Sequence, residues 1–258
     1  MTVKTTEGWV PNEATQRIFS RVDFEAFVKD IDWDAAVARL APPATPDYVK
    51  SSIHGIAGGY SIPESAATWD AVVKEIFVEF VGDEIAQRDM LATSVDGEAR
   101  TILDVACGTG ESTLAWRRRF PDARIVAVDV SPYMLAVAER KLAHDANVEV
   151  RCLNAESLPF EDASFDLVTA SLMFHELPED VSPVVLAELA RVAKPGGRIA
   201  VMEPYDTHGK SLHPIPFPEP YLKDFLNTDW DVAFKEAGFD DVRMTNYGEG
   251  WIRIATRA

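Results

Sequence analysis

From residue 100 onward, short apolar runs and helical stretches take turns along the chain, and this alternation constrains the fold more than any other feature. The apolar runs are Thr101–Val105, Arg124–Val130, Val148–Leu153, Phe165–Ser171 and Arg198–Glu203. Helical patterns fill Glu111–Phe120, Pro132–His144 and Pro183–Ala193. Strands alternating with helices predict an α/β fold, a parallel sheet covered on both faces. Two further runs, Asp241–Tyr247 and Trp251–Thr256, follow a helical stretch near Trp230–Ala237 and are joined only by Gly248-Glu249-Gly250. So short a link demands a hairpin, so this edge of the sheet should be antiparallel.

Residues 1–95 lack the alternation. They are expected to form an N-terminal helical extension that acts as a lid, with the core spanning 96–258. Phe24–Leu40 carries apolar residues at helical spacing, and Pro42, Pro43 and Pro46 stop it. Ser52–Tyr60 is a loop whose glycines suit tight turns or a close backbone approach. Ser65 or Thr68 could cap a helix over about Trp69–Phe80, and a second helix is expected over about 83–93.

Charge narrows the partners. The 258 residues carry a formal net charge of −17, which repels phosphate backbones and anionic lipid. Nucleic-acid and membrane partners are therefore not expected. The short basic run Arg117-Arg118-Arg119 reads as the solvent face of a helix. No apolar run reaches the roughly 18–20 residues that span a bilayer, and the first residues lack the apolar core of a signal peptide. A cytoplasmic location is expected. Cys107 and Cys152 have neither metal-type nor redox-type spacing, and the five histidines are scattered, so no metal site is expected.

The first strand runs into Leu103-Asp104-Val105-Ala106-Cys107-Gly108-Thr109-Gly110, a small-residue turn that opens a helix. The dinucleotide fingerprint would place a third glycine where Thr113 stands. A carboxylate at Asp104 would repel a pyrophosphate and suits a cationic ligand. That weakens the case for a nicotinamide oxidoreductase. The second strand ends at Asp129, where an acid can accept hydrogen bonds from two ribose hydroxyls. Ser131-Pro132 follows as an N-cap and first helical residue. Then come Asn154-Ala155-Glu156 after the third strand, Phe165–Ser171 as the fourth, and Lys194-Pro195-Gly196-Gly197-Arg198 leading into the fifth.

These motifs, in this order, resemble those of the class I S-adenosylmethionine (SAM)-dependent methyltransferases. The resemblance is close over 101 to about 205 and extends in topology to the C-terminus. It implies a Rossmann-like seven-stranded sheet of order 3-2-1-4-5-7-6. It also implies SAM as methyl donor and S-adenosylhomocysteine (SAH) as product. By the resemblance, Asp104, Ala106, Gly108 and Gly110 surround the methionyl part of SAM, and Asp129 with Val130 holds the ribose. Met134 packs on the adenine, Asn154, Ala155 and Glu156 face its edge, and Ser171 and Met173 flank the sulfonium. Ala106 replaces the usual first glycine of the motif, and Asn154 a frequent aspartate.

The expected activity is methyl transfer to a small-molecule acceptor by in-line displacement. A protein substrate or a non-catalytic SAM-binding regulator on the same fold are the alternatives, and a homodimer is left open. His175, just after the fourth strand, is the candidate base. Tyr60, His54, His175 and Tyr205 are the candidate acceptor-pocket residues. Glu176 reads as electrostatic support for a helix start. Cys107 reads as a small residue in a crowded loop and Asp166 as structural. The proline-rich stretch His213–Tyr221 reads as a stiff cover.

Overall fold

The computed structural model describes residues 30–50, 58–63, 65, 66, 69, 83–204, 219–247 and 250–258. Its centre is a seven-stranded sheet in the order β3-β2-β1-β4-β5-β7-β6. The strands are β1 (Thr101–Val105), β2 (Arg124–Asp129), β3 (Val148–Cys152), β4 (Phe165–Ser171), β5 (Ala193–Glu203), β6 (Phe239–Tyr247) and β7 (Gly250–Arg257). The first five are parallel, while β7 runs antiparallel to both of its neighbours. The expected order and the antiparallel hairpin are both present.

Side chains alternate between the two faces of a strand, so each central strand needs cover on both sides. Ile102, Ile125, Leu167, Ala200, Met202, Ile252 and Ile254 point to one face. There they meet α3 (Glu84–Ser94) and α4 (Glu111–Arg119), through Leu91, Ala92, Ala115 and Trp116. α5 (Pro132–Leu142) covers Ala127 on the same face with Leu135, Ala138 and Leu142. The opposite set, Leu103, Val105, Val126, Val128, Val168, Ala170, Ile199 and Val201, packs under α6 (Ser182–Val192), α7 (Leu222–Asn227) and α8 (Trp230–Glu236).

The sequence reading placed α3 in the extension ending at residue 95; its Leu91 and Ala92, with Val95 just beyond it, are buried among side chains of the sheet. Ahead of it, the described residues of the extension are 30–50, 58–63, 65, 66 and 69. Here α1 (Trp33–Leu40) packs along α5, an ion pair joins Arg39 to Glu139, and a second ion pair joins Arg140 to Asp30 at 3.8 Å. These pairs are exposed and contribute little, at most about 1 kcal/mol each. Apolar contact contributes more: Ala66 is buried against Met134 and Val137, with Tyr60 and Trp69 beside them. All but Trp69 of the expected helix over 69–80 and most of the proline-rich stretch lie outside the described residues.

β5 starts five residues earlier than the apolar run suggested. Ala193 already pairs with Phe165, and the register then shifts before Leu167 pairs with Arg198. Gly196 takes a φ of 74°, and a Cβ on Gly197 would stand 2.7 Å from the Lys194 carbonyl oxygen. The Pro-Gly-Gly insert is thus a bulge that only small residues can make. At the same end of the sheet, Asp166 accepts hydrogen bonds from the Arg100 and Thr101 N–H groups, both at 2.9 Å, and pairs with Lys194 at 2.7 Å. This supports the structural reading of Asp166.

Candidate functional site

Strand order reverses between β1 and β4, so their following loops diverge and leave a crevice at the C-terminal edge of the sheet. A cleft of about 1010 Å³, counted to its open mouth, occupies this position. Loops after four strands line it. Ala106, Gly108 and Thr109 come from β1, Asp129 and Val130 from β2, Asn154 and Ala155 from β3, and Ser171, Met173 and Glu176 from β4. Met134 of α5 reaches it, and α2 (Asp47–Lys50) contributes Tyr48 and Val49.

The turn after β1 is built for close approach. Gly108 has a φ of 54°, and a Cβ there would meet nothing within 4 Å, because the position faces open space. Ala106 also takes a left-handed φ, 53°, as does Leu172 at 58° just after β4. For non-glycine residues this conformation costs roughly 1–2 kcal/mol each. Both strained residues line the cleft, where strain tends to be retained for function. Ala106 is therefore accommodated in place of glycine at a cost in backbone strain.

Asp129 organises the turn from the neighbouring strand. Its two carboxylate oxygens accept the N–H groups of Gly108 at 2.9 Å and Ser131 at 2.8 Å. Burial raises its pKa, and these backbone donors oppose the rise. Ser131 caps α5 by accepting from the Met134 N–H, and Pro132 is the first helical residue, as the sequence predicts. The Ser131 hydroxyl also donates to the Tyr60 carbonyl at 2.6 Å, tying the extension to the rim.

Asp104 lies behind the lining, fully buried at the N-terminus of α4. One oxygen accepts from the Ser112 and Thr113 hydroxyls at 2.7 and 2.6 Å, and the other has no hydrogen-bond partner among the described residues. Burial pushes its pKa up to about 6 despite those two donors. The buried Ser171 hydroxyl on the lining likewise has no partner among the described residues. An unmet carboxylate oxygen and an unmet hydroxyl beside an open glycine cradle suit a cationic, polar ligand tail.

Asn154 lines the cleft but is engaged in its own turn. Its Oδ1 accepts the Glu156 N–H and its Nδ2 donates to Glu156 Oε1, both at 3.0 Å. One lone pair of Oδ1 remains for a ligand amine. Glu156 and Gly110 do not line the cleft. Glu156 instead accepts the Tyr48 hydroxyl at 2.7 Å, a second tie to the extension. A Cβ on Gly110 would stand 3.2 Å from Leu142, so that glycine serves the packing of α4 on α5. Cys107 lines the cleft with its thiol pKa pushed well up by burial, which does not suit a nucleophile.

His175 does not line the cleft. The imidazole is 4% exposed, packed against Phe225, with Nδ1 at 2.6 Å from Glu203 and Nε2 at 3.8 Å from Glu176. Burial works to lower its pKa, but the Glu203 carboxylate first, then Glu176 and Glu219, raise it to about 9. Carboxylates beside both ring nitrogens favour the protonated ring, which is a poor proton acceptor. Tyr60 does line the cleft, and its hydroxyl donates to Glu176 Oε1 at 3.0 Å. His54 and Tyr205 lie outside the described residues. Sequence reasoning missed Glu203: Oε1 accepts the N–H groups of Met173 and Phe174 at 3.0 and 2.8 Å, pinning the loop after β4. The available signal was an acid at the tip of the fifth strand, beside the switch point.

The fold and its crevice define a doubly wound α/β protein that binds a nucleoside-bearing ligand at the switch point of its sheet. Residues 102–197 match the family described as methyltransferase domain. The chain is 38% identical over 128 residues to the demethylmenaquinone methyltransferase of Thermus thermophilus, covering 49% of this chain and 57% of that protein. It is 32% identical over 174 residues to the Staphylococcus aureus protein of that name, covering 57% of this chain and 71% of that one. The crystal structure of a SAM-dependent methyltransferase from Aquifex aeolicus superimposes with a TM-score of 0.57 at 22% identity, over 75% of this chain and 98% of that one. The chain belongs to the class I SAM-dependent methyltransferases, and its cofactor is SAM.

Proposed function

We propose that this protein methylates a small hydroxylated aromatic acceptor of the quinol class. One observation carries the reading. The cleft that holds the cofactor-type turn is also lined by Tyr48, Tyr60, Met173, Leu177 and Val185, a partly apolar set. Apolar and aromatic walls with a few polar groups are usual for small-molecule sites. The quinone named in the relatives above suits such a wall. An extended peptide would need an open groove, whereas Tyr48, Tyr60 and Trp69 of the extension narrow this mouth.

In this reading Asp129 and Val130 hold the ribose, and Met134 packs on the adenine ring. Asn154 and Ala155 read the adenine edge. Ala106, Gly108 and Ser171 approach the methionyl arm, with Asp104 supplying negative charge from behind. SAM supplies an electrophilic methyl carbon already activated by its sulfonium. The protein then has to align the acceptor, exclude water and manage one proton. The extension excludes water as a lid over the crevice, held by the Tyr48–Glu156 and Ser131–Tyr60 hydrogen bonds.

The test is incubation with methyl-labelled SAM and reduced demethylmenaquinone, followed by mass spectrometry. A product one methyl group heavier is expected. Absence of labelled product from protein that binds SAM would refute the acceptor class.

A further inference from the structure

Glu176 lies in a short 3-10 turn, Phe174–Glu176, and is buried although it lines the cleft. A carboxylate is costly to bury, and it is kept only where something meets it. Among the described residues, groups from several elements surround it. Tyr60 of the extension donates its hydroxyl at 3.0 Å, and His175 Nε2 lies 3.8 Å from the same oxygen. Glu203 at the tip of β5 holds the far side of the imidazole at 2.6 Å. The charge of Glu219, just before α7, acts on both Tyr60 and His175.

This arrangement separates two roles that the sequence assigned to one residue. His175 has carboxylates at both ring nitrogens, and so holds a proton instead of accepting one. Its charge lies beneath Glu176 and favours the ionised carboxylate. Glu203 also pins the Met173 and Phe174 N–H groups, so the turn carrying Glu176 is fixed from behind. Met173 and Leu177, on either side, share the cleft with it.

We propose that Glu176 is the proton acceptor of the reaction, meeting the acceptor's hydroxyl in the cleft, with His175 and Glu203 as positioning residues. The proposal rests on the methyltransferase reading above. In the step, the acceptor's O–H bond breaks and its proton passes to a Glu176 oxygen. The electron pair so released drives a bond from the acceptor to the methyl carbon. The carbon–sulfur bond breaks with its pair leaving on sulfur, which gives neutral SAH. The Tyr60 hydroxyl holds one carboxylate oxygen, which orients the group.

The test uses wild type and Glu176→Gln, an isosteric change that can still accept the Tyr60 hydrogen bond. The first readout needs no turnover. 4-Nitrophenol is titrated against pH while bound to the SAH complex, and its colour reports ionisation. A carboxylate against the probe's hydroxyl disfavours the phenolate, so colour should appear about one pH unit higher in wild type than in Glu176→Gln. The second readout is the pH profile of methyl transfer. Glu176→Gln should lower kcat by roughly 10²–10⁴ with KM for the acceptor little changed. Coincident probe titrations, or equal rates at every pH, would overturn the assignment of Glu176. A protein that binds no SAH, or whose SAH complex binds no phenol, would overturn the functional reading instead, so the two failures are distinguishable.

Discussion

Replacing Glu203 by glutamine removes one charge from the most buried part of the site and leaves its shape intact. The amide oxygen can still accept from the Met173 and Phe174 N–H groups, so the turn after β4 keeps its backbone partners. What is lost is the carboxylate at 2.6 Å from His175 Nδ1. The neighbouring carboxylates, Glu203 foremost, raise the pKa of the imidazole to about 9 against its burial, from 6.5 for an unperturbed histidine. The difference of two to three pH units is worth about 3 kcal/mol. Its sign follows from the raised value: the stabilisation is fully present below pH 6.5 and is lost as pH rises through 9. Glu203→Gln should therefore cost on the order of 3 kcal/mol at pH 6, and much less at pH 9.5. Urea denaturation of both proteins at the two pH values measures this, and the gap between midpoints should shrink as pH rises. A gap of equal size at both pH values would refute the argument, because a purely steric cost does not titrate.

Two further expectations concern the cofactor. Asp129→Ala should weaken SAM binding by roughly 2–4 kcal/mol, about 30- to 1,000-fold, since ribose contacts and the hold on the Gly108 turn are lost together; an unchanged dissociation constant by calorimetry would remove Asp129 from the site. Burial raises the pKa of Asp104 to about 6. The cofactor's ammonium should favour its ionised form, so SAM affinity should rise with pH from 5 to 7 and protons should be released on binding. Calorimetry in two buffers of different ionisation enthalpy checks this, and equal pH dependence in Asp104→Asn would refute it.

Much of the scaffold was legible because it depends on local pattern. Strand and helix periods and the Ser131-Pro132 helix start are set by residues close together in sequence, and the structure shows them. The cofactor-type turn was legible for the same reason, since Asp104 through Gly110 and Asp129 sit at strand ends that the alternation already locates. The packing of α3 was less legible, because its burial with Ala200 and Met202 of β5, over 100 residues away, leaves no mark on its own spacing.

Periodicity along the chain was enough for an α/β sheet with an antiparallel final hairpin, and the resemblance to the family supplied the strand order and the cofactor motifs. The surroundings of His175 and Glu176 came from the three-dimensional fold alone. His175 is 28 residues from Glu203, and Glu176 is 116 from Tyr60. Periodicity does not encode contacts of that separation; they arise when the β4 loop, the β5 tip and the extension meet at one edge. Against its burial, the Glu203 and Glu176 carboxylates raise the histidine's pKa, and Glu176 lines the cleft. A group's protonation state depends on what surrounds it in space, which reading along the chain does not supply.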